Sequence, residues 1–291
     1  MQALHRMRRS PRLVIVTVVV GLLGAAAVAY AVTPQPAIQT ITPHFADQVT
    51  NLDVLRQQIK NYYGDPLAAT GPSGTWASPL NPDSNYAHEA AFVADDGAHW
   101  LAARAHAHYK ADLKAIVLDV DDTTLATWNY ELYSNWDYNP ATNGTFVTGQ
   151  LFPPVPGMVD MVNQAAGEGY AIIWITGRPA TQEAATLGNL GHDGVGVDAG
   201  YPAPTTLNDG EDGLFTKPAV ADYPDYLKAA CADEIAAGKS CTTIHYKSAT
   251  RAHIESLGYD IVADFGDQYS DLTGGHADRT FKMPNPNYFL P

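Results

Sequence analysis

The chain has 291 residues, 46 % hydrophobic and 16 % charged, with 17 lysines and arginines against 31 aspartates and glutamates. A formal net charge of −14 argues against binding the phosphate backbone of duplex nucleic acid as a main function. The only two cysteines, Cys231 and Cys241, are too few for a thiolate zinc cage and read as a disulfide in an exported chain.

Residues 1–12, MQALHRMRRSPR, carry four arginines and no acid, and an apolar run reaches from Leu13 to Ala31. A basic start, an apolar stretch and small residues at Ala29 and Ala31 form an export signal, with cleavage expected after Ala31. The alternative is an anchor retained in the membrane, because residues 13–32 are about as long as a bilayer span. Loss of residues 1–31 would leave 260 residues at a charge of about −18, enough for one domain, 32–291, with a substantial core.

The lead-in, residues 32–114, contains two stretches with helical apolar spacing, HFADQVTNLDVLRQQIKNYYGD and YAHEAAFVADDGAHWLAARAHAHYKADLK, separated by a Pro/Gly/Ser/Asn-rich interruption. From Ala115 the pattern changes to short apolar runs alternating with helical stretches. AIVLDV, YAIIWIT, TTIHY and YDIVADF read as strands; PGMVDMVNQAAGEG, ATQEAATLGNL and SATRAHIESLG read as helices. Continuously apolar strands alternating with helices predict a doubly wound α/β core, 115–291, whose parallel sheet is covered on both faces. Residues 124–152, rich in Trp, Tyr and Asn, show no clear period and form a candidate flap or cap after the first strand.

In such a sheet the ligand site lies beyond the carboxyl ends of the strands. There the sequence places Asp119, Asp121 and Asp122 after the first strand, Thr176, Gly177 and Arg178 after the second, and Gly266, Asp267 and Asp271 after the last, with Lys247 at the start of the preceding helix. Clustered carboxylates repel unless a cation sits among them, and hard oxygen ligands suit Mg²⁺. A divalent ion, a lysine and a strand-end threonine make a phosphate site. An EF-hand calcium loop is excluded, since Thr124 and Tyr130 stand where it needs Gly and Glu.

The motifs DVDDT, IIWITGR, YKS and GDQYSDL, in this order, resemble the four motifs of the haloacid-dehalogenase-like (HAD) phosphatases. Within them the chain is similar to the secreted class B-type, subfamily IIIB acid phosphatases, also in TGRPATQEAATLGNL and the closing FKMPNPNYFLP; the resemblance covers about residues 85–291. It implies a Rossmann-like HAD core and a secreted hydrolase of small phosphomonoesters, a phosphoric monoester hydrolase using one Mg²⁺ per site. Asp119 would be the nucleophile that forms a phosphoaspartate, and Asp121 the general acid and base. The metal would be held by Asp119, the Asp121 backbone carbonyl and Asp267, with Asp271 in support. Thr176, Gly177 and Lys247 would bind the phosphoryl oxygens, and Lys247 with the metal would keep Asp119 ionised. Such a split between Asp119 and Asp121 implies activity best below neutrality. A membrane partner is implied only if residues 13–32 are retained.

Other residues carry blander expectations. Asp122 reads as a solvated or capping carboxylate, and Arg178 as a loop brace. Lys217 is a competing lysine, set aside because strand context is missing around it. His245 alternates with Lys247 along IHYK but reads as structural; His106 and His108, two apart on a helix, are no ligand pair. Trp128, Tyr130 and Trp136 could stack on an aromatic leaving group or pack the cap. Thr124 departs from the aliphatic residue more usual there and would alter flap packing. The same site could serve a dedicated nucleotidase or a phosphotransferase. The reading from another class is a non-catalytic extracellular binding or storage protein on the same fold.

Overall fold

A computed structural model describes residues 42–64, 80–105, 113–191 and 195–290. The export segment, His106 and His108 lie outside the described residues. Two helices precede the sheet, as the lead-in predicts: α1 (Leu52–Tyr62), capped by the Asn51 side chain, and α2 (Asn85–Ala105).

The core is a five-stranded, wholly parallel sheet in the order β3-β2-β1-β4-β5. Its strands are β1 (Leu113–Leu118), β2 (Ala171–Pro179), β3 (Leu214–Lys217), β4 (Tyr259–Gly266) and β5 (Thr280–Lys282). Period-two alternation splits their side chains between two cores. Ile116, Leu118, Ile172 and Trp174 pack with Ala90, Ala94 and Leu101 of α2 and with Met158, Met161 and Val162 of α5 (Met158–Gly167). Ala115, Val117, Ile173, Ile175 and Ile261 pack on the opposite face with Leu227 of α7 (Asp225–Ala230) and Tyr246 and Ile254 of α9 (Thr243–Ser256). Burial on both faces is why these strands read as apolar runs rather than alternations.

Four expectations need correction. TTIHY is not a strand: Thr242 caps α9 by accepting from the His245 amide at 3.2 Å, and Lys247 lies inside that helix rather than at its start. Residues 214–217 are a strand, so Lys217 does have strand context; its ammonium donates to the Cys241 carbonyl at 2.7 Å. The cap is ordered into α3 (Trp128–Ser134) and α4 (Pro140–Thr148), the latter capped by Asn139 with proline in its first turn. Lastly, β5 follows the strand taken as last and lies at the sheet edge beside β4.

Cys231 and Cys241 form a disulfide. It joins the start of α8 (Ala232–Ala236) to the segment just before α9. No helix among the described residues is long and apolar enough to cross a membrane.

Candidate active site

Parallel register assembles the site. Leu118 pairs with Trp174 of β2 and Phe265 of β4, so Asp119, Thr176 and Asp267 emerge together at the carboxyl edge. The strand order reverses at β1, which opens the crevice there. The Asp119 amide donates to the Phe265 carbonyl at 2.9 Å and continues the ladder one residue past the strand.

Asp119, Lys247, Asp267 and Asp271 are all buried. The Lys247 ammonium donates to Asp119 Oδ1 and reaches Asp271 Oδ1 at 2.7 Å. Asp271 Oδ2 accepts from the Gln268 amide at 2.8 Å, so both of its oxygens are engaged. Carboxylate oxygens of Asp119, Asp267 and Asp271 lie within 4.8 Å of one another. One ammonium cannot neutralise three carboxylates. Burial pushes Asp119 up to about 7; Lys247 opposes this, while Asp271 and Asp121 add to it. Burial likewise raises Asp267 well above the ordinary range, helped by Asp271, Asp119 and Asp122. For Lys247, burial disfavours the ammonium, yet Asp119 and Asp271 outweigh it and hold its pKa above the usual lysine range. Lys247 alone does not offset the desolvation of Asp119, which is the larger effect. A divalent cation would supply the missing charge, and the oxygens left for it, on Asp119 and Asp267, are the hard donors Mg²⁺ takes. The residues present fit that ion.

Thr176, Gly177 and Arg178, expected after the second strand, lie within β2, where its pairing with β3 shifts register; Thr176 is buried and its hydroxyl accepts from the Arg178 amide at 3.2 Å. Gly177 is exposed, and a Cβ there would meet open space within 4 Å. Asp121 is partly exposed at the mouth and is gripped by Arg178, whose Nη2 and Nε reach its carboxylate at 2.6 and 3.0 Å. Arg178 also donates to Thr186 of α6 (Glu183–Leu190) at 3.0 Å and lies over the Phe152 ring. It thus braces the Asp121 side chain rather than only a loop.

The turn after β1 is fixed internally. Asp122, expected to be solvated or a cap, is fully buried; it takes φ 54°, a left-handed conformation Asp tolerates, and caps the start of α3 by accepting from the Thr127 amide at 2.9 Å and hydroxyl at 2.6 Å. The Thr124 hydroxyl donates to the Asp119 and Val120 carbonyls at 3.1 and 3.2 Å, which tightens the turn. His245 pairs with Glu234 on the surface of α9, away from the cluster.

Of the three cap aromatics, Trp128 is buried and stacked on Tyr63 at 4.0 Å, and the Tyr130 hydroxyl donates to the Asn139 carbonyl at 3.0 Å. Trp136 donates to Asn287 Oδ1 at 3.3 Å. All three pack the cap. Sequence reasoning missed Arg251, a fully buried cation that meets Asp264 at 3.0 Å and donates to the Thr273 and Gly275 carbonyls at 2.6 and 2.9 Å. Its signal was absent, since only the fold brings α9 against the loop after Asp271.

A model of the HAD superfamily, subfamily IIIB (acid phosphatase), matches residues 83–291. The chain is 28 % identical over 179 residues to the stem 28 kDa glycoprotein of Glycine max, covering 60 % of this chain and 59 % of that protein. It is 26 % identical over 180 residues to acid phosphatase 1 of Solanum lycopersicum, covering 60 % and 58 %. The chain thus spans less than two thirds of the length of these curated relatives. The class C acid phosphatase from Bacillus anthracis superposes with a TM-score of 0.53 at 18 % identity, over 82 % of this chain and 87 % of that one, which is a likeness of fold. The chain belongs to the HAD superfamily, subfamily IIIB, the acid phosphatases.

Proposed function

We propose that the protein is a Mg²⁺-dependent acid phosphatase that hydrolyses small phosphomonoesters through a phosphoaspartyl intermediate. The observation that carries this reading is the buried Lys247 ammonium bridging Asp119 and Asp271 beside Asp267, at the edge where the strand order reverses.

Thr176, the Gly177 amide and Lys247 hold the phosphoryl oxygens. The open space beside Gly177 supports this role. Asp119 attacks phosphorus in line; the new bond is Asp119 Oδ to phosphorus, and the bond to the ester oxygen breaks. Asp121 gives its proton to the departing oxygen, then takes one from the water whose oxygen displaces the aspartyl group and releases phosphate. Its partial exposure at the mouth suits an exchange with both leaving group and water. Asp119, the Asp121 carbonyl and Asp267 would hold Mg²⁺, which when bound neutralises charge on the phosphoryl group and the carboxylates. Mn²⁺ shares the same donors.

The match to a stem glycoprotein and the disulfide support export from the cell. Cleavage after Ala31 and a single catalytic domain over 32–291 belong to the same proposal.

Hydrolysis of p-nitrophenyl phosphate from acid to neutral pH, with Mg²⁺, with EDTA and in Asp119→Asn, tests the reading. Turnover that peaks below neutrality and needs both metal and Asp119 is expected. Turnover that survives EDTA or Asp119→Asn would sink it.

A further inference from the structure

Residues 284–290, between β5 and the end of the chain, run across the site, and their polar contacts converge on the groups around the carboxylate cluster. Asp267 Oδ2 accepts from two side-chain amides, Asn285 Nδ2 and Gln268 Nε2, each at 2.6 Å. Its other oxygen, Oδ1, has only a long 3.4 Å contact from the Thr123 hydroxyl. One oxygen is saturated and the other remains for a cation. Both donors are neutral, so they orient the carboxylate without a positive charge that would compete with the ion.

Asn285 is itself held in place. The Met283 amide donates to the Gly266 carbonyl at 2.9 Å, which pins the segment's start beside Asp267. Asn285 Oδ1 accepts from the Asn287 amide at 2.8 Å, and this turns Nδ2 toward Asp267. Pro284 and Pro286 flank it and restrict the backbone on both sides. Further along, Asn287 Nδ2 donates to the Tyr63 hydroxyl at 2.9 Å, and its Oδ1 accepts from Trp136 of the cap. The Tyr288 hydroxyl is hydrogen-bonded to Asp122, and the Leu290 amide donates to Gln268 Oε1 at 3.0 Å.

We infer that residues 284–290 are a strap that preorganises the cation site, with Asn285 as the positioning residue that turns one oxygen of Asp267 toward the ion. The inference rests on the reading of Asp119 and Asp267 as metal donors. Outer partners of metal-binding carboxylates typically tune affinity about 10- to 100-fold.

The test is calorimetric titration of Mg²⁺ into the full chain and into Asn285→Ala, Asn285→Ser and Asn287→Ala, with the metal-free melting temperature of each. Asn287→Ala cuts the strap from Tyr63 and Trp136 but leaves the Asn285 donor on Asp267. The expected result is a weakening of Mg²⁺ binding by about 10- to 100-fold in Asn285→Ala, a smaller loss in Asn285→Ser, and a clearly smaller loss in Asn287→Ala at a comparable melting temperature. Should Asn285→Ala fail to fold, Asn285→Ser against Asn287→Ala decides the matter in the same way. Binding in the Asn285 variants equal to the unsubstituted chain, or lost no more than in Asn287→Ala, overturns the inference while leaving the metal reading intact. An unsubstituted chain that takes up no Mg²⁺ overturns both.

Discussion

At the residue scale the site turns on one lysine shared by two buried aspartates. Removing it while keeping its volume, as in Lys247→Met, leaves Asp119 and Asp271 without a counter-charge. The expected loss is about 3–5 kcal/mol at pH 8, where buried carboxylates are ionised, and less at pH 5, where protonation relieves them. Chemical denaturation at the two pH values checks this; an equal loss at both would contradict the charge argument. Asp119→Asn is expected to keep the fold and lower turnover by roughly 10³-fold or more. Asp119, Asp121, Thr176 and Asp267 could be placed at one sheet edge because each lies at the end of an apolar run or just past it, whereas Lys247 was picked from its motif although the strand expected before it is a helix. The Arg178–Asp121 grip and the Asn285 amide on Asp267 were not legible, because they join positions 57 and 18 residues apart and carry no local pattern.

At the element scale β1, β2 and β4 announced themselves as long apolar runs, whereas β3 and β5 are four and three residues long and gave little signal. Helix α9 was misread at its start because Thr243 and Ile244 are β-branched and favour strands, while the cap at Thr242 and packing against β4 decide for helix. The Cys231–Cys241 bridge ties that start to α8 across a separation of ten residues. Cys231→Ser with Cys241→Ser is expected to cost about 3 kcal/mol, read as a lower denaturation midpoint. No change on reduction of the parent chain would contradict it. Gly266 is a second constraint: an added Cβ would lie 2.4 Å from the Asp271 Cβ. Gly266→Ala is therefore expected to displace Asp271 from Lys247 and to lower both melting temperature and turnover; activity at the level of the parent chain would show that the approach can relax.

At the scale of the whole molecule, buried acid links stability to pH. Burial raises Asp119 to about 7, and Asp122 and Asp264 each to about 6, from a starting value of 3.8. Their folded pKa values lie above the unfolded ones, so their favourable contribution is fully present below about pH 4 and is lost as pH rises through 6 to 7. Metal-free protein is expected to become less stable from pH 4 to 7 on this account, and the rise in melting temperature produced by Mg²⁺ to be larger at pH 7.5 than at pH 5. Thermal melts with EDTA and with Mg²⁺ across that range check the sign. The fold concentrates more negative charge at one sheet edge than Lys247 can offset, and the proposed phosphoryl chemistry with a cation would use the excess.

The most direct test is the covalent one. Protein turning over p-nitrophenyl phosphate with Mg²⁺, quenched rapidly in acid and digested, should yield a peptide containing Asp119 that is heavier by one phosphoryl group, absent in Asp119→Asn. Turnover with no phosphorylated peptide, or with the group on another residue, would contradict the account.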